Sequence, residues 1–285
     1  MTYPKISIIT PTFNQVDYIE QTILSVLNQN YPNLEYIIFD AGSTDGTVDI
    51  IKKYEDKLSY WISEKDNGLY DAVYKGFEMA TGDILAWINS DDVYLPNSLF
   101  TVAEVFSEFT EVQWLQGANS HIDEIGRIVS VYPSPYWTKF DLFAGSSVSI
   151  QQESTFIRTS LWEKAGKPLD RNSQLAGDYG LWFSLFLYAD LHIISAALGC
   201  FRMRSSNQKS YTHKDAYILE KGKIYKETKD LNTKKIRLFC YTLLLKLNIF
   251  YILKCFKMDV LLKKKLFYGP KIISFNRITQ KFELK

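Results

Sequence analysis

Two periods organise the apolar positions of this chain. Short β-rich runs, Ile6 to Thr10, Leu34 to Phe39, Leu58 to Ile62 and the run opening at Ile84, each end in a polar cluster. Between them apolar side chains return every three or four residues, as at Tyr18, Ile19, Ile23, Val26 and Leu27, the spacing of one helix face. Asn14 or Asp17 can cap that helix and Tyr31-Pro32-Asn33 breaks it. Further helices are expected up to Tyr54, and from Leu69 to Ala80 with Gly82 suited to the C-terminal cap. Strands alternating with helices predict an α/β fold, a mostly parallel sheet flanked by helices.

Beyond Asp92 the rhythm changes. Pro96 suits the first turn of a helix running to about Phe109. Val112 to Asn119 and Arg127 to Tyr132 read as strands around the loop Asp123-Glu124-Ile125-Gly126. Ser147 to Phe156 leads into a short helix near Ser160–Ala165. Ala176-Gly177-Asp178 opens a strongly apolar helix to Tyr188, and Leu191 to Met203 reads as one final strand. The expected division is a body of 1–213, in two halves of about 1–95 and 96–213. Residues 214–285 then form a helical C-terminal extension.

Charge sharpens that division. The net formal charge is +1, which by itself predicts no nucleic-acid partner. Residues 214–285 hold 18 basic and six acidic side chains, against 15 and 26 in 1–213. An acidic body thus carries a basic tail, which suggests an anionic surface as its partner. Lys235, Lys246 and Lys257 recur every eleven residues, close to three helical turns, so a helix there carries them on one face. Lysines and an arginine interrupt the apolar stretch, so 235–265 suits a membrane interface better than a span. Packing of that helix on the body is the alternative. Cys200, Cys240 and Cys255 are odd in number and set among apolar residues, as in a reducing compartment. The strand pattern begins at Lys5 without a leader pattern before it, so a cytoplasmic protein, peripheral on the inner face of the membrane, is expected.

In a parallel sheet the carboxyl ends of the strands share one edge, where open α/β folds bind ligands. Four polar clusters fall there: Thr10-Pro11-Thr12, Asp40 with Gly42-Ser43, Lys65-Asp66, and Asn89 to Asp92. Acids and hydroxyls in this arrangement fit a nucleotide, with Asp40 accepting from a base N–H and another carboxylate on ribose. Neither a Gly-x-Gly-x-x-Gly nor a Gly-x-x-x-x-Gly-Lys-Ser/Thr pattern is present, which disfavours dinucleotide and P-loop sites. A hard divalent cation on Asp91 or Asp92, completed by phosphate oxygens and water, is one way to neutralise bound phosphate.

Five motifs in order carry a resemblance to the family 2 glycosyltransferases, which have the glycosyltransferase A fold. They are Ser7-Ile8-Ile9-Thr10-Pro11-Thr12-Phe13-Asn14, Asp40 to Thr47, Lys65 to Ala72, Asn89-Ser90-Asp91-Asp92 and Gly177-Asp178-Tyr179, and the likeness covers about 5–210. The resemblance implies inverting, metal-dependent transfer of a hexose-type sugar from a nucleotide-diphosphate donor, a UDP-sugar being favoured. It implies Mg2+ or Mn2+ as cofactor and a glycan or polyprenyl-linked saccharide as acceptor, in surface polysaccharide synthesis. By position, Thr10, Pro11 and Thr12 would line the nucleotide pocket, with Asp40 on the base and Asp66 facing the nucleotide. Ser43 and Lys65 stand in the same clusters. Asp91 would contact ribose or donor sugar, Asp92 would hold the metal, and Asp178 would be the general base. Glu153, Trp182 and Arg204 are acceptor-side candidates. Arg204 stands where the family often has a metal-assisting histidine. At a helix N-terminus the dipole is expected to lower the pKa of Asp178. His121 and His192 give no signal. The rivals are a catalytically silent sugar-nucleotide-binding or scaffold protein of the same fold, and a nucleotidyl transferase.

Overall fold

A computed structural model describes residues 3–146, 148–205, 212–228, 241–245, 247, 249 and 271–284. Strands β1 (Ile6–Thr12), β2 (Leu34–Asp40), β3 (Tyr60–Ser63) and β4 (Ile84–Trp87) alternate with helices α1 (Ile19–Leu27), α2 (Thr47–Lys52) and α3 (Leu69–Met79). β1 pairs in parallel with both β2 and β4, and β2 with β3. All seven residues of β1 are buried, as a strand covered on both faces requires. Successive side chains point to opposite layers. Ile37, Phe39, Leu85 and Trp87 join one core, while Tyr36, Ile38, Ile84 and Ala86 join the other.

The second half joins this sheet through antiparallel as well as parallel pairs, which keeps the sheet mostly parallel as expected. After β5 (Val93–Tyr94) and α4 (Ser98–Glu108) come β6 (Trp114–Ile122), β7 (Ile128–Tyr132), α5 (Lys139–Phe143), β8 (Thr155–Arg158) and α6 (Thr159–Lys164). β8 lies between β4 and β6 and runs antiparallel to both. Helix α7 (Gly177–Tyr188) is followed by β9 (His192–Ala197) and β10 (Gly199–Arg202). The single strand expected over Leu191–Met203 is therefore two. β9 pairs with β6, whereas β10 turns away to pair with β5 and the far end of β6. The break needs a glycine: a Cβ at Gly199 would stand 2.0 Å from the carbonyl oxygen of Glu153.

The expected C-terminal helical extension is corrected in part. Lys214–Thr228 is a helix and packs on α7. Residues 271–284, by contrast, are a hairpin of β11 (Lys271–Asn276) and β12 (Lys281–Leu284). β11 continues the main sheet in parallel beside β9, with Ile273 fully buried. The lysine-rich tail therefore does not keep one helical period to its end. The described order across the sheet is β12-β11-β9-β6-β8-β4-β1-β2-β3. The expected membrane segment 235–265 lies outside the described residues except for 241–245, 247 and 249. Within it, Tyr241 packs on Phe140 and donates its hydroxyl proton to Asp141. Among the described residues no helix is long and apolar enough to cross a membrane.

Candidate active site

Two adjoining cavities open at the carboxyl edge of β1 to β4. The larger, about 790 Å³, is lined by Pro11 and Thr12 from β1, Ala41 and Gly42 after β2, Lys65 to Gly68 after β3, and Asn89 to Asp91 after β4. The smaller, about 460 Å³, is lined by Trp87, Asn119, His121, Glu153 and Asp178 among others. Leu69, Asn89, Gln174 and Phe201 border both, so the two form one cleft. The buried Oγ1 of Thr12 and Oδ1 of Asn89 have no hydrogen-bond partner among the described residues, which leaves them ready for a ligand donor.

Of the expected donor residues, Pro11, Thr12, Lys65, Asp66 and Asp91 reach the larger cavity. Thr10, Asp40 and Ser43 do not line it. Thr10 is fully buried, its hydroxyl 3.1 Å from that of Tyr36. Asp40 is consumed by its own loop: it accepts from the Gly42 and Ser43 amides and from the Ser43 and Ser63 hydroxyls. A carboxylate saturated in this way shapes the Ala41–Gly42 wall instead of reaching a base. Ser43 completes the brace by also accepting from the Asn14 amide at 2.7 Å. Burial raises the pKa of Asp66, although its Oδ1 accepts from Gly68 N–H.

Of the two acids after β4, only Asp91 stands where it was expected. Asp91 borders the larger cavity and pairs with Arg204, Oδ2 to Nη2 at 3.0 Å. Asp92 is 1% exposed and faces inward. Its Oδ1 accepts from the Arg202 amide at 2.8 Å, its Oδ2 from Asn89 Nδ2 at 3.2 Å, and it shares a hydrogen bond with Glu153. Asp92 as metal ligand is corrected accordingly: its lone pairs are spent inside the protein. Burial pushes both Asp92 and Glu153 upward, Glu153 to about 7, and neighbouring acids add to the shift. One proton held between them is how two carboxyls coexist in a dry site.

The raised pKa of Glu153 has a measurable consequence. Folded Glu153 binds its proton more tightly than the unfolded chain does, so the associated stability is fully present below about pH 4.5. It is lost as pH rises through about 7. The urea midpoint is expected to fall across that interval, and Glu153→Gln to flatten the fall. A wild-type midpoint that stays level from about pH 5 to about pH 8 would remove the raised pKa of Glu153 from the account.

A metal shell can be tested against these residues. A divalent cation on a nucleotide diphosphate takes one or two protein carboxylates beside phosphate and water oxygens. Asp91 is the carboxylate available after β4, and it already carries a guanidinium. A doubly charged ion about 5 Å from that guanidinium meets a repulsion of roughly 7 kcal/mol at an effective dielectric of about 20. Among the described residues no cluster of three His, Cys, Asp or Glu side chains could hold an ion. The donor set at Asp91 does not fit a resident Mg2+ or Mn2+.

Asp178 sits in the first turn of α7 and borders the smaller cavity. The Tyr179 amide donates to its Oδ1 at 2.8 Å. The Tyr70 hydroxyl lies 3.3 Å from the same oxygen and 3.1 Å from Leu175 O, so its single proton is shared. The Tyr70 ring is pressed against the helix start, since a Cβ at Gly177 would stand 2.7 Å from it. Burial raises the pKa of Asp178 and outweighs the amide, Tyr70 and Lys221, which lower it. The net shift is thus opposite to the one expected from the helix dipole. A carboxylate with a raised pKa is a better proton acceptor.

The acceptor-side candidates divide. Glu153 borders the smaller cavity. Trp182 is 2% exposed and stacks between Trp87 and Trp114, so it is core and not a sugar platform. Arg204 moves to the larger cavity. Several contributors lacked any local signal. His121 lines the smaller cavity, with Ser130 Oγ 3.0 Å from its Nδ1, and Tyr217 reaches the same cavity from the Lys214–Thr228 helix. From that helix Glu220 also accepts from the Gln174, Leu175 and Ala176 amides and from the Ser173 hydroxyl. Lys221 lies 4.3 Å over the Tyr179 ring. No spacing rule links Glu220 to a loop more than forty residues away; only docking of the helix on α7 does so.

A parallel edge with a nucleotide-sized cavity, joined to a second cavity holding a basic carboxylate, defines a glycosyltransferase A fold. The pattern of glycosyl transferase family 2 matches residues 7–159, more than half of the chain. The chain belongs to that family. TuaG of Bacillus subtilis (strain 168), assigned to teichuronic acid biosynthesis as a glycosyltransferase, is 40% identical over 108 residues, 37% of this chain and 43% of TuaG. The uncharacterized glycosyltransferase RP339 of Rickettsia prowazekii is 28% identical over 195 residues, 66% of this chain and 61% of that protein. The matched stretches thus span about half the length of these relatives, 43% and 61%. Among solved structures, S. aureus TarS 1-349 in complex with UDP-GlcNAc aligns with a TM-score of 0.60 at 22% identity, covering 73% of this chain and 61% of that one. The mannosyltransferase PcManGT from Pyrobaculum calidifontis, in complex with GDP-Man and Mn2+, aligns at 0.59 and 15% identity, covering 78% and 64%. At these identities the two structures show the fold.

Proposed function

We propose that this protein is an inverting glycosyltransferase that moves a sugar from a nucleotide diphosphate, a UDP-sugar in the first instance, to a hydroxyl of a glycan or lipid-linked acceptor. The observation that carries the reading is the joined cleft, with Asp91 bordering one cavity and Asp178 the other. The larger cavity takes the nucleotide diphosphate against Pro11, Thr12, Lys65 and Asp66, and the smaller takes the acceptor. Residues 1–95 then form the donor half and 96–213 the acceptor side, with the Lys214–Thr228 helix completing the latter. TuaG supports a role in surface polysaccharide synthesis, and the sugar nucleotides bound by TarS and PcManGT support the donor class.

In the transfer, an acceptor oxygen forms the new bond to the anomeric carbon while the bond from that carbon to the diphosphate oxygen breaks. The bonding pair leaves with the diphosphate, and the acceptor proton passes to Asp178. Its raised pKa matches it to that proton, and Tyr70 with the Tyr179 amide holds its orientation. Asp91, on the lining of the larger cavity, accepts from a donor hydroxyl.

A panel of UDP-, GDP- and dTDP-sugars, assayed for release of the nucleoside diphosphate with and without Mn2+, tests the reading. One donor class is expected to be turned over. Asp91→Asn is expected to slow that turnover by about a hundredfold, the cost of losing a buried charge-assisted contact. Binding of a sugar nucleotide without turnover, by wild type as by Asp178→Asn, would instead favour a silent binding protein.

A further inference from the structure

We infer that the guanidinium of Arg204 neutralises the donor diphosphate in this chain, so that nucleotide binding needs no divalent cation. The inference rests on the donor reading above and concerns the same cavity. Arg204 borders that cavity beside Asp91, Gln15 and Phe201. Its Nη2 lies 3.0 Å from Asp91 Oδ2, its Nη1 donates to Gln15 Oε1 at 3.3 Å, and its guanidinium stands 5.2 Å over the Tyr18 ring. The planar group is held on an aromatic face and by two oxygens, with its edge at the cavity. Preorganisation of this kind lowers the entropy cost of binding a phosphate with a forked donor.

Arg202 strengthens the field from behind. It is 0% exposed, and its Nε donates to the Asp91 carbonyl at 2.5 Å while its guanidinium lies 5.1 Å from the same Tyr18 ring. Its Nη1 donates to the Glu124 carbonyl at 2.8 Å and its Nη2 to Gln21 Oε1 at 2.8 Å. Two guanidinium groups thus flank one tyrosine where the chain leaves β10, and Lys65 contributes a third cation to the cavity lining. The carboxylates of the same lining are Asp91 beside the guanidinium and Asp66 beside Lys65, with Asp92 turned inward. An incoming diphosphate carries more charge than Asp91 and competes for the Arg204 N–H groups. Asp91 is then released to accept from a donor hydroxyl. As the bond from the anomeric carbon to the diphosphate oxygen breaks, the guanidinium meets the charge arriving on that oxygen without giving up its own proton. The acceptor proton is taken by Asp178, so charge and protons balance.

Titration calorimetry of the full chain with UDP and GDP, in EDTA and again in Mn2+, tests the inference without measuring catalysis. One nucleotide is expected to bind in EDTA with a Kd within about threefold of its value in Mn2+. Arg204→Ala is expected to weaken binding in EDTA by at least about tenfold, and Arg204→Lys, which keeps the charge and the ion pair, to weaken it less. Circular dichroism of both variants establishes that they fold, and if the alanine variant does not, Arg204→Gln is compared with Arg204→Lys. Wild-type binding that falls about tenfold or more in EDTA overturns the inference and leaves the donor reading intact. So does a charge-removing variant that binds as well as wild type. Binding of neither nucleotide in either condition overturns both.

Discussion

Asp178→Asn is expected to lower kcat by about a thousandfold, the middle of the range for a lost general base, while leaving donor affinity within about twofold. The amide is nearly isosteric, so α7 and the Tyr70 contact persist. What is lost is the capacity to take the acceptor proton. The two cavities separate the effects: Asp178 borders the smaller one and is absent from the lining of the larger. Steady-state kinetics with a turned-over donor, together with calorimetry on the same variant, make the comparison. Because burial raises the pKa of Asp178, the acid limb of the wild-type kcat profile is expected above the ordinary carboxylate range. A variant that keeps wild-type kcat would move the base elsewhere, with Glu153 the next carboxyl in that cavity.

Glu220→Ala is expected to cost about 2 kcal/mol of stability and to lower kcat by about a hundredfold, far beyond what a mere surface helix would give. Glu220 collects the Gln174, Leu175 and Ala176 amides and the Ser173 hydroxyl. Those residues form the turn that delivers Asp178 into the cleft. Without the carboxylate, three amides and a hydroxyl seek water and the turn loosens, and a shift of about 1 Å at a reacting group is enough for such a loss. Urea unfolding and kcat measured on the same preparation check it. Glu220→Gln, which keeps an acceptor oxygen, is expected to fall between the two. A loss of stability with unchanged kcat would make Glu220 a structural brace only.

These expectations bear on how much of the protein could be read along the chain. The first four strands, the intervening helices and the edge that collects their polar ends follow from local periodicity. Such patterns are set by contacts that every residue of an element makes in the same way. The helix start at Gly177-Asp178 was legible for the same reason. The placement of β8 between β4 and β6, the break at Gly199 and the capture of 271–284 by β9 were not. Each depends on pairing between segments distant in sequence, and backbone hydrogen bonds carry no residue-specific signature.

The site divides along the same line. Residue type and order determined that acids and hydroxyls gather at the strand ends, that a carboxylate opens α7, and that Arg204 follows β10. Tertiary structure decided what each does. Asp40 spends its oxygens on the Gly42 turn, and Asp92 turns inward to share a proton with Glu153. Asp91 meets Arg204, and Trp182 is consumed by the tryptophan stack of the core. The physical reason is common to all of them. The chemistry of a carboxylate or a guanidinium is fixed by its covalent structure, whereas its charge, exposure and partners are fixed by what the fold packs against it.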